Sequence, residues 1–156
     1  MKKKKKLTVK SKTLKTIMQQ INNNGGTTYG PLLNKDYSGT QNVAIAPFPE
    51  RSKIIKGKAT KKMVLNYCRK NSDLFQNNLA LGVWADTKNK KTYFDVTAPI
   101  PLEKMEEAKI LGKSSNQIAG FNLSDFTEIP LGGTGEFNST VSPFVERLGN
   151  TIRLMG

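Results

Sequence analysis

Two runs near the middle of the chain constrain its fold more than any other feature. Leu79-Ala80-Leu81-Gly82-Val83-Trp84-Ala85 and Thr92-Tyr93-Phe94-Asp95-Val96-Thr97 are rich in β-formers, and a polar stretch from Asp86 to Lys91, containing Asn89, separates them. Runs of this length around a polar turn predict a β-hairpin. Gly82 in mid-strand suggests a bulge or a close backbone approach. Pro99 and Pro101 are expected to end the second strand, because proline cannot donate to a ladder.

Other elements follow from the flanks. Val43-Ala44-Ile45-Ala46 reads as a buried strand closed by Pro47 and Pro49. Leu14, Ile17, Met18 and Ile21 fall at i, i+3, i+4, i+7, which predicts a short amphipathic helix. Ser11 or Thr13 is its expected cap, and Asn22 to Gly26 its stop. Its apolar stripe is expected to dock on the chain's own core, with docking on a membrane surface or a partner as the alternative. Residues 22–42 read as loop-rich on their glycines. A second helix is predicted near 60–71, with Thr60 as cap, Val64, Tyr67 and Cys68 facing inward and Asn71 at its close. A third is predicted near 102–113, with acids at its start and Lys109 and Lys113 at its end, as the helix dipole favours. Ile118 to Leu123 and Thr127 to Leu131 read as further strands. The expected fold is therefore α+β: a small, mainly antiparallel sheet around the central hairpin, with two or three helices on one face. The expected organisation is a basic arm and short helix over 1–24, a domain over 25–134 and a weakly ordered tail over 135–156, with a short apolar element around Phe144 to Leu148.

Charge is segregated along this chain of 156 residues. Its net +13 comes from two acid-free blocks. The first holds Lys2, Lys3, Lys4, Lys5, Lys6, Lys10, Lys12 and Lys15. The second, residues 51–70, holds Arg51, Lys53, Lys56, Lys58, Lys61, Lys62, Arg69 and Lys70. Each block carries +8, so the remainder is near −3. The first block is not read as a signal peptide, since Lys10, Lys12 and Lys15 break every apolar run that should follow it. No stretch approaches the roughly 18 apolar residues of a membrane span. Acid-free lysine runs attract polyanions by counterion release, without reading sequence. The six lysines from Lys2 to Lys6 and at Lys10, with Lys12, Lys15, Arg51, Lys53, Lys56, Lys58, Lys61 and Lys62, are the candidate polyanion contacts.

Other chemistry is narrowed by what is missing. With no His and one Cys, the chain cannot build a His-dependent triad, a His-ligated metal centre, a disulfide framework or a four-Cys zinc site. Gly112-Lys113-Ser114 ends a predicted helix rather than starting one, so it is no phosphate-binding loop. Asp95 between Phe94 and Val96 is unusual, because Asp is depleted in strands, and it is a candidate ligand contact. Asn116 and Gln117 are two more, with capping of neighbouring backbone as the plainer role. Cys68, flanked by Arg69 and Lys70, is expected to be core. Trp84 and Tyr93 are placed to face each other across the hairpin. Core packing is their expected role, with base stacking as the alternative.

One resemblance adds to this. Gly26-Thr27-Thr28-Tyr29, Val43-Ala44-Ile45, Pro49-Glu50-Arg51-Ser52, Gly82-Val83-Trp84, Tyr93-Phe94-Asp95-Val96, Ala108 with Leu111-Gly112, Asn116-Gln117-Ile118-Ala119, and Glu128-Ile129-Pro130 with Gly132-Gly133 occur in this order. Together they resemble a group of small uncharacterised proteins of bacteriophages and mobile elements, over roughly residues 25–134. The resemblance implies a phage origin and carries over no activity and no functional residues. The expected function is a non-enzymatic phage accessory protein, virion-associated or structural, whose basic arm contacts nucleic acid or an acidic protein surface. An intracellular module acting on host nucleic acid or a host enzyme is the first alternative. A small His-independent enzyme using Asp95, Asn116 and Gln117 is the second. No cofactor or metal is expected. Expected partners are phage structural proteins, nucleic acid or both, without membrane insertion, and with oligomerisation left open. The expected location is the virion or the host cytoplasm.

Overall fold

The computed structural model describes residues 7–156, so Lys2 to Lys6 lie outside the described residues. In chain order its elements are α1 (Ser11–Asn24), β1 (Gly26–Gly30), β2 (Lys35–Asp36), β3 (Asn42–Ile45), a 3-10 turn (Pro49–Arg51), β4 (Lys53–Lys56), α2 (Lys61–Lys70), α3 (Ser72–Phe75), β5 (Ala80–Asp86), β6 (Lys91–Pro101), a second 3-10 turn (Leu102–Lys104), α4 (Met105–Ser114), β7 (Ala119–Asn122), β8 (Thr127–Pro130) and α5 (Phe144–Met155). Every strand pairs antiparallel with a neighbour. The fold is α+β, with more strands and helices than the sequence pattern predicts. The described residues form two compact units: residues 7–36 with Lys53–Phe94, and Tyr37–Ser52 with Asp95–Gly156.

In the first unit the strand order is β2-β1-β5-β6, and β4 also pairs with β6. The β1–β5 register sets Gly26 opposite Trp84, Thr27 opposite Val83, Thr28 opposite Gly82 and Tyr29 opposite Leu81. The β1–β5 ladder thus runs through Gly82 without a bulge. Side chains alternate between faces. One face carries Thr27, Tyr29, Leu81, Val83, Thr92 and Phe94, all buried. α1 packs on β1 and β5 and buries Leu14, Ile17, Met18 and Ile21, the stripe expected to dock on the chain's own core. Each such side chain contributes about 1.5–3 kcal/mol on full burial. The expected Ser11 or Thr13 cap is absent: Lys10 holds the cap position without a side-chain bond, and Thr13 Oγ1 donates to Asn34 Oδ1 at 2.9 Å. The stop is as expected, with the Gly25 N–H reaching Ile21 O at 3.0 Å. Thr60 caps α2 by accepting from the Met63 N–H at 3.2 Å. Tyr67 of α2 lays its ring 5.3 Å from Phe94 and 6.2 Å from Phe75.

In the second unit the order is β6-β3-β7-β8. β3 is central, and Val43, Ala44 and Ile45 are buried. Here the proline expectation fails, because β6 continues through Pro99 and Pro101, opposite Ala44 and Asn42. The reason lies in the alternation of backbone N–H groups. The Leu102 N–H reaches Gln41 O at 3.1 Å, so even-numbered residues donate toward β3. Pro99 and Pro101 sit on the other phase, where the missing N–H interrupts no bond to β3. α4 buries Ala108 and Leu111. The tail also differs from expectation, since residues 144–155 form helix α5, which buries Arg147, Thr151 and Leu154.

Candidate nucleic-acid interface

The open face of the first unit's sheet follows from the same alternation. Trp84 and Gly82 on β5 point away from Leu81 and Val83, and Tyr93 and Lys91 on β6 point away from Thr92 and Phe94. β4 adds Ile54 opposite Tyr93 and Lys56 opposite Lys91. Trp84 and Ile54 each keep 58% of their surface exposed. The rings of Trp84 and Tyr93 lie 5.3 Å apart, inclined by 31°. The expected facing of the two rings is present, but the expected core role for Trp84 is not. Its position is even-numbered in a strand whose odd positions fill the core.

The lysines gather at one end of this face. The Gly57 N–H donates to Lys90 O at 2.7 Å, and Thr92 Oγ1 donates to Gly57 O at 2.7 Å. These bonds pin the end of β4 to the hairpin turn. They bring Lys56 and Lys58 beside Lys90 and Lys91, all four exposed, with exposed Lys88 in the same turn. Lys90 takes a left-handed backbone, φ 54°. Lys56 and Lys91 are direct cross-strand partners, an arrangement that repels. No ion pair among the described residues engages either of them. Asp86 is the acid of this turn. It accepts from Asn89 Nδ2 at 2.8 Å and from the Asn89 N–H at 3.2 Å. Those bonds, with the charge of Lys91 as a smaller cause, hold its carboxyl below the usual range.

Other basic candidates fall elsewhere. Lys10, Lys12 and Lys15 are exposed on and beside α1, Lys53 is exposed on β4, and Lys61 and Lys62 are exposed at the start of α2. Arg51 belongs to the second unit, where its guanidinium lies 5.5 Å from the Phe144 ring centroid. Its neighbour Glu50 binds Arg147, so this part of the basic block is occupied by packing within the unit.

The polar ligand candidates are also occupied. Gln117 Oε1 accepts from the Ala46 N–H at 3.0 Å, and its Nε2 donates to Ala119 O at 2.7 Å. Asn116 Nδ2 donates to Thr134 Oγ1 at 2.6 Å and Glu136 O at 3.0 Å, and its Oδ1 accepts from the Thr134 N–H at 3.1 Å. Asn116 fastens the turn to the residues after β8, and Gln117 ties it to the residue that follows β3. Gly133 is required there, because a Cβ would collide with the Asn116 carbonyl. The Ser52 hydroxyl donates to the Asp95 carboxylate. Asp95 retains partial exposure, yet desolvation by the surrounding atoms raises its carboxyl above the usual range, with Ser52 partly opposing. Cys68 is fully buried, and desolvation pushes its thiol up to about 12, which leaves it inert at neutral pH.

Lys56 and Lys58 are evident from the basic run in the sequence, whereas Lys88, Lys90 and Lys91 join them only through the pairing of β4 with β6. No helix among the described residues is long and apolar enough to cross a membrane. Comparison of the chain with protein families, curated proteins and solved structures finds no match.

Proposed function

We propose that this protein is a non-enzymatic nucleic-acid-binding protein that holds phosphates through the lysines of β4 and the hairpin turn, with the N-terminal lysines as a second contact. The single observation that supports this most is the cross-strand Lys56–Lys91 pair inside a group of exposed lysines. Two like charges held face to face cost stability in the free protein, and a polyanion relieves that cost. Lysine contacts to phosphate give affinity without sequence preference. The setting that accompanies this reading is a phage accessory protein associated with the virion, and its presence in purified particles by mass spectrometry is the corresponding test.

Binding of an oligonucleotide measured across salt concentrations tests the contact itself. Replacing Lys56 and Lys91 together by Gln should flatten the slope of log K against log salt by about 1.4 on a single strand, at about 0.7 per phosphate contact. Deleting residues 2–6 should flatten it further. An unchanged slope in both variants overturns the proposal.

A further inference from the structure

We infer that the Trp84–Tyr93 face takes unpaired bases, so that the nucleic acid bound is single-stranded. This rests on the reading of the lysines as phosphate contacts and specifies what lies between those phosphates. Trp84, Tyr93 and Ile54 stand side by side on β5, β6 and β4, with Tyr93 and Ile54 in register and the two rings 5.3 Å apart. They form an apolar surface three strands wide. Beyond Trp84, the face is bare: its partner on β1 is Gly26, and Thr28 next along β1 is opposite Gly82. Gly26 is required by its surroundings, since a Cβ would lie 2.5 Å from Val83 O. The indole is therefore left without a flanking side chain on β1. At 58% exposure it presents ring surface to solvent instead of anchoring the core.

The charges are placed to match. Lys56 and Lys91 lie two residues from Ile54 and Tyr93 on the same face, about 7 Å along the strands. A lysine at that spacing reaches the phosphate joined to a base that rests on the rings. The base faces of a duplex are hidden in its stack, whereas those of a single strand are free to lie on aromatic side chains, whatever the base. An apolar aromatic surface bordered by exposed ammonium groups thus fits an unpaired nucleotide chain better than a duplex. It also fits such a chain better than an anion without rings.

Trp84 is the only tryptophan, so its fluorescence reports on this face alone. The full chain is titrated with an oligothymidylate, a duplex of equal length and heparin, following indole emission and the anisotropy of labelled ligand. The oligothymidylate should quench Trp84 and bind more tightly than the duplex. Trp84→Ala should weaken its binding by about five- to a hundredfold, the range of one stacked base, and leave heparin binding unchanged. Trp84→Phe should restore part of the loss. Equal weakening toward heparin, a preference for duplex, or unchanged oligothymidylate binding by Trp84→Ala overturns the inference. In the last case, loss of binding in the Lys56 and Lys91 variant keeps the phosphate reading and rejects stacking alone. If that variant also binds all three ligands normally, both fail. Trp84 and Tyr93 lie on the open face, and far-ultraviolet circular dichroism confirms that each variant is folded.

Discussion

Arg147 in the second unit and Lys56 in the first carry the same charge under opposite conditions. The Arg147 side chain is 1% exposed, and its Nη1 and Nη2 reach Glu50 Oε1 and Oε2 at 2.7 and 2.6 Å. Nη1 also donates to Pro47 O at 2.8 Å, and Nε to Ser142 O at 2.7 Å. The planar fork has used its donors in two directions, as arginine does where bidentate geometry matters. Lys56 faces water and a second lysine. The buried cation is consumed by the fold, whereas the exposed one leaves its charge to act outward. A basic composition is thus two properties in one number, and position in the fold separates them.

The comparison breaks first at Arg147. Arg147→Ala should destabilise the protein by about 3–5 kcal/mol in urea unfolding, because it strands Glu50 and two carbonyls near the core. The pair should also show in acid. Burial alone would raise the Glu50 carboxyl, but its bonds from Arg147 outweigh that and hold it below its ordinary value of 4.5. Its contribution is therefore complete above that value and is lost as pH falls through the depressed one. Arg147→Ala should flatten this acid limb, and an unchanged limb would assign it to other carboxyls. The next effect compares two aromatic residues of the first unit. Phe94→Ala should cost about 3–5 kcal/mol. Trp84→Ala should cost only about 0.5–1.5 kcal/mol, the worth of its pairing with Tyr93, despite the larger side chain. Similar losses at both would mean that Trp84 holds the sheet together. The smallest effect is the sharpest. Lys56→Glu should raise stability by about 0.2–1 kcal/mol by pairing with Lys91, whose charge beside Asp86 stays in place, while weakening oligonucleotide binding. Stability and binding moving together would remove the opposition between fold and function on this face.

These residues also show what could be read in advance. The hairpin, α2 with its Thr60 cap and the body of α4 are legible because pattern and local chemistry agree there, although α4 begins at Met105 after a 3-10 turn over Leu102–Lys104. β4 was missed because Lys-Ile-Ile-Lys lies inside a charge run, and its pairing with β6 is a long-range event. β1 has the sequence signature of a loop because Gly26 and Gly30 bound it, although Gly26 is there for a close approach to β5. α5 has the sequence signature of a tail because its buried positions are Arg147, Thr151 and Leu154. Their helical spacing is right, but two of the three are polar, and only the partner Glu50, 97 residues away, makes the arginine admissible. Trp84 was legible in principle. Strict alternation sets it with Gly82 and Asp86 against Leu81 and Val83, and its residue type argued more loudly than its phase.

The prolines of β6 have a consequence for the edge of its own sheet. On the side away from β3, positions 99 and 101 offer carbonyls but no N–H groups, so no complete ladder can form there. Residues 98–100 are nevertheless buried, so packing within the fold, and not a further strand, covers that stretch.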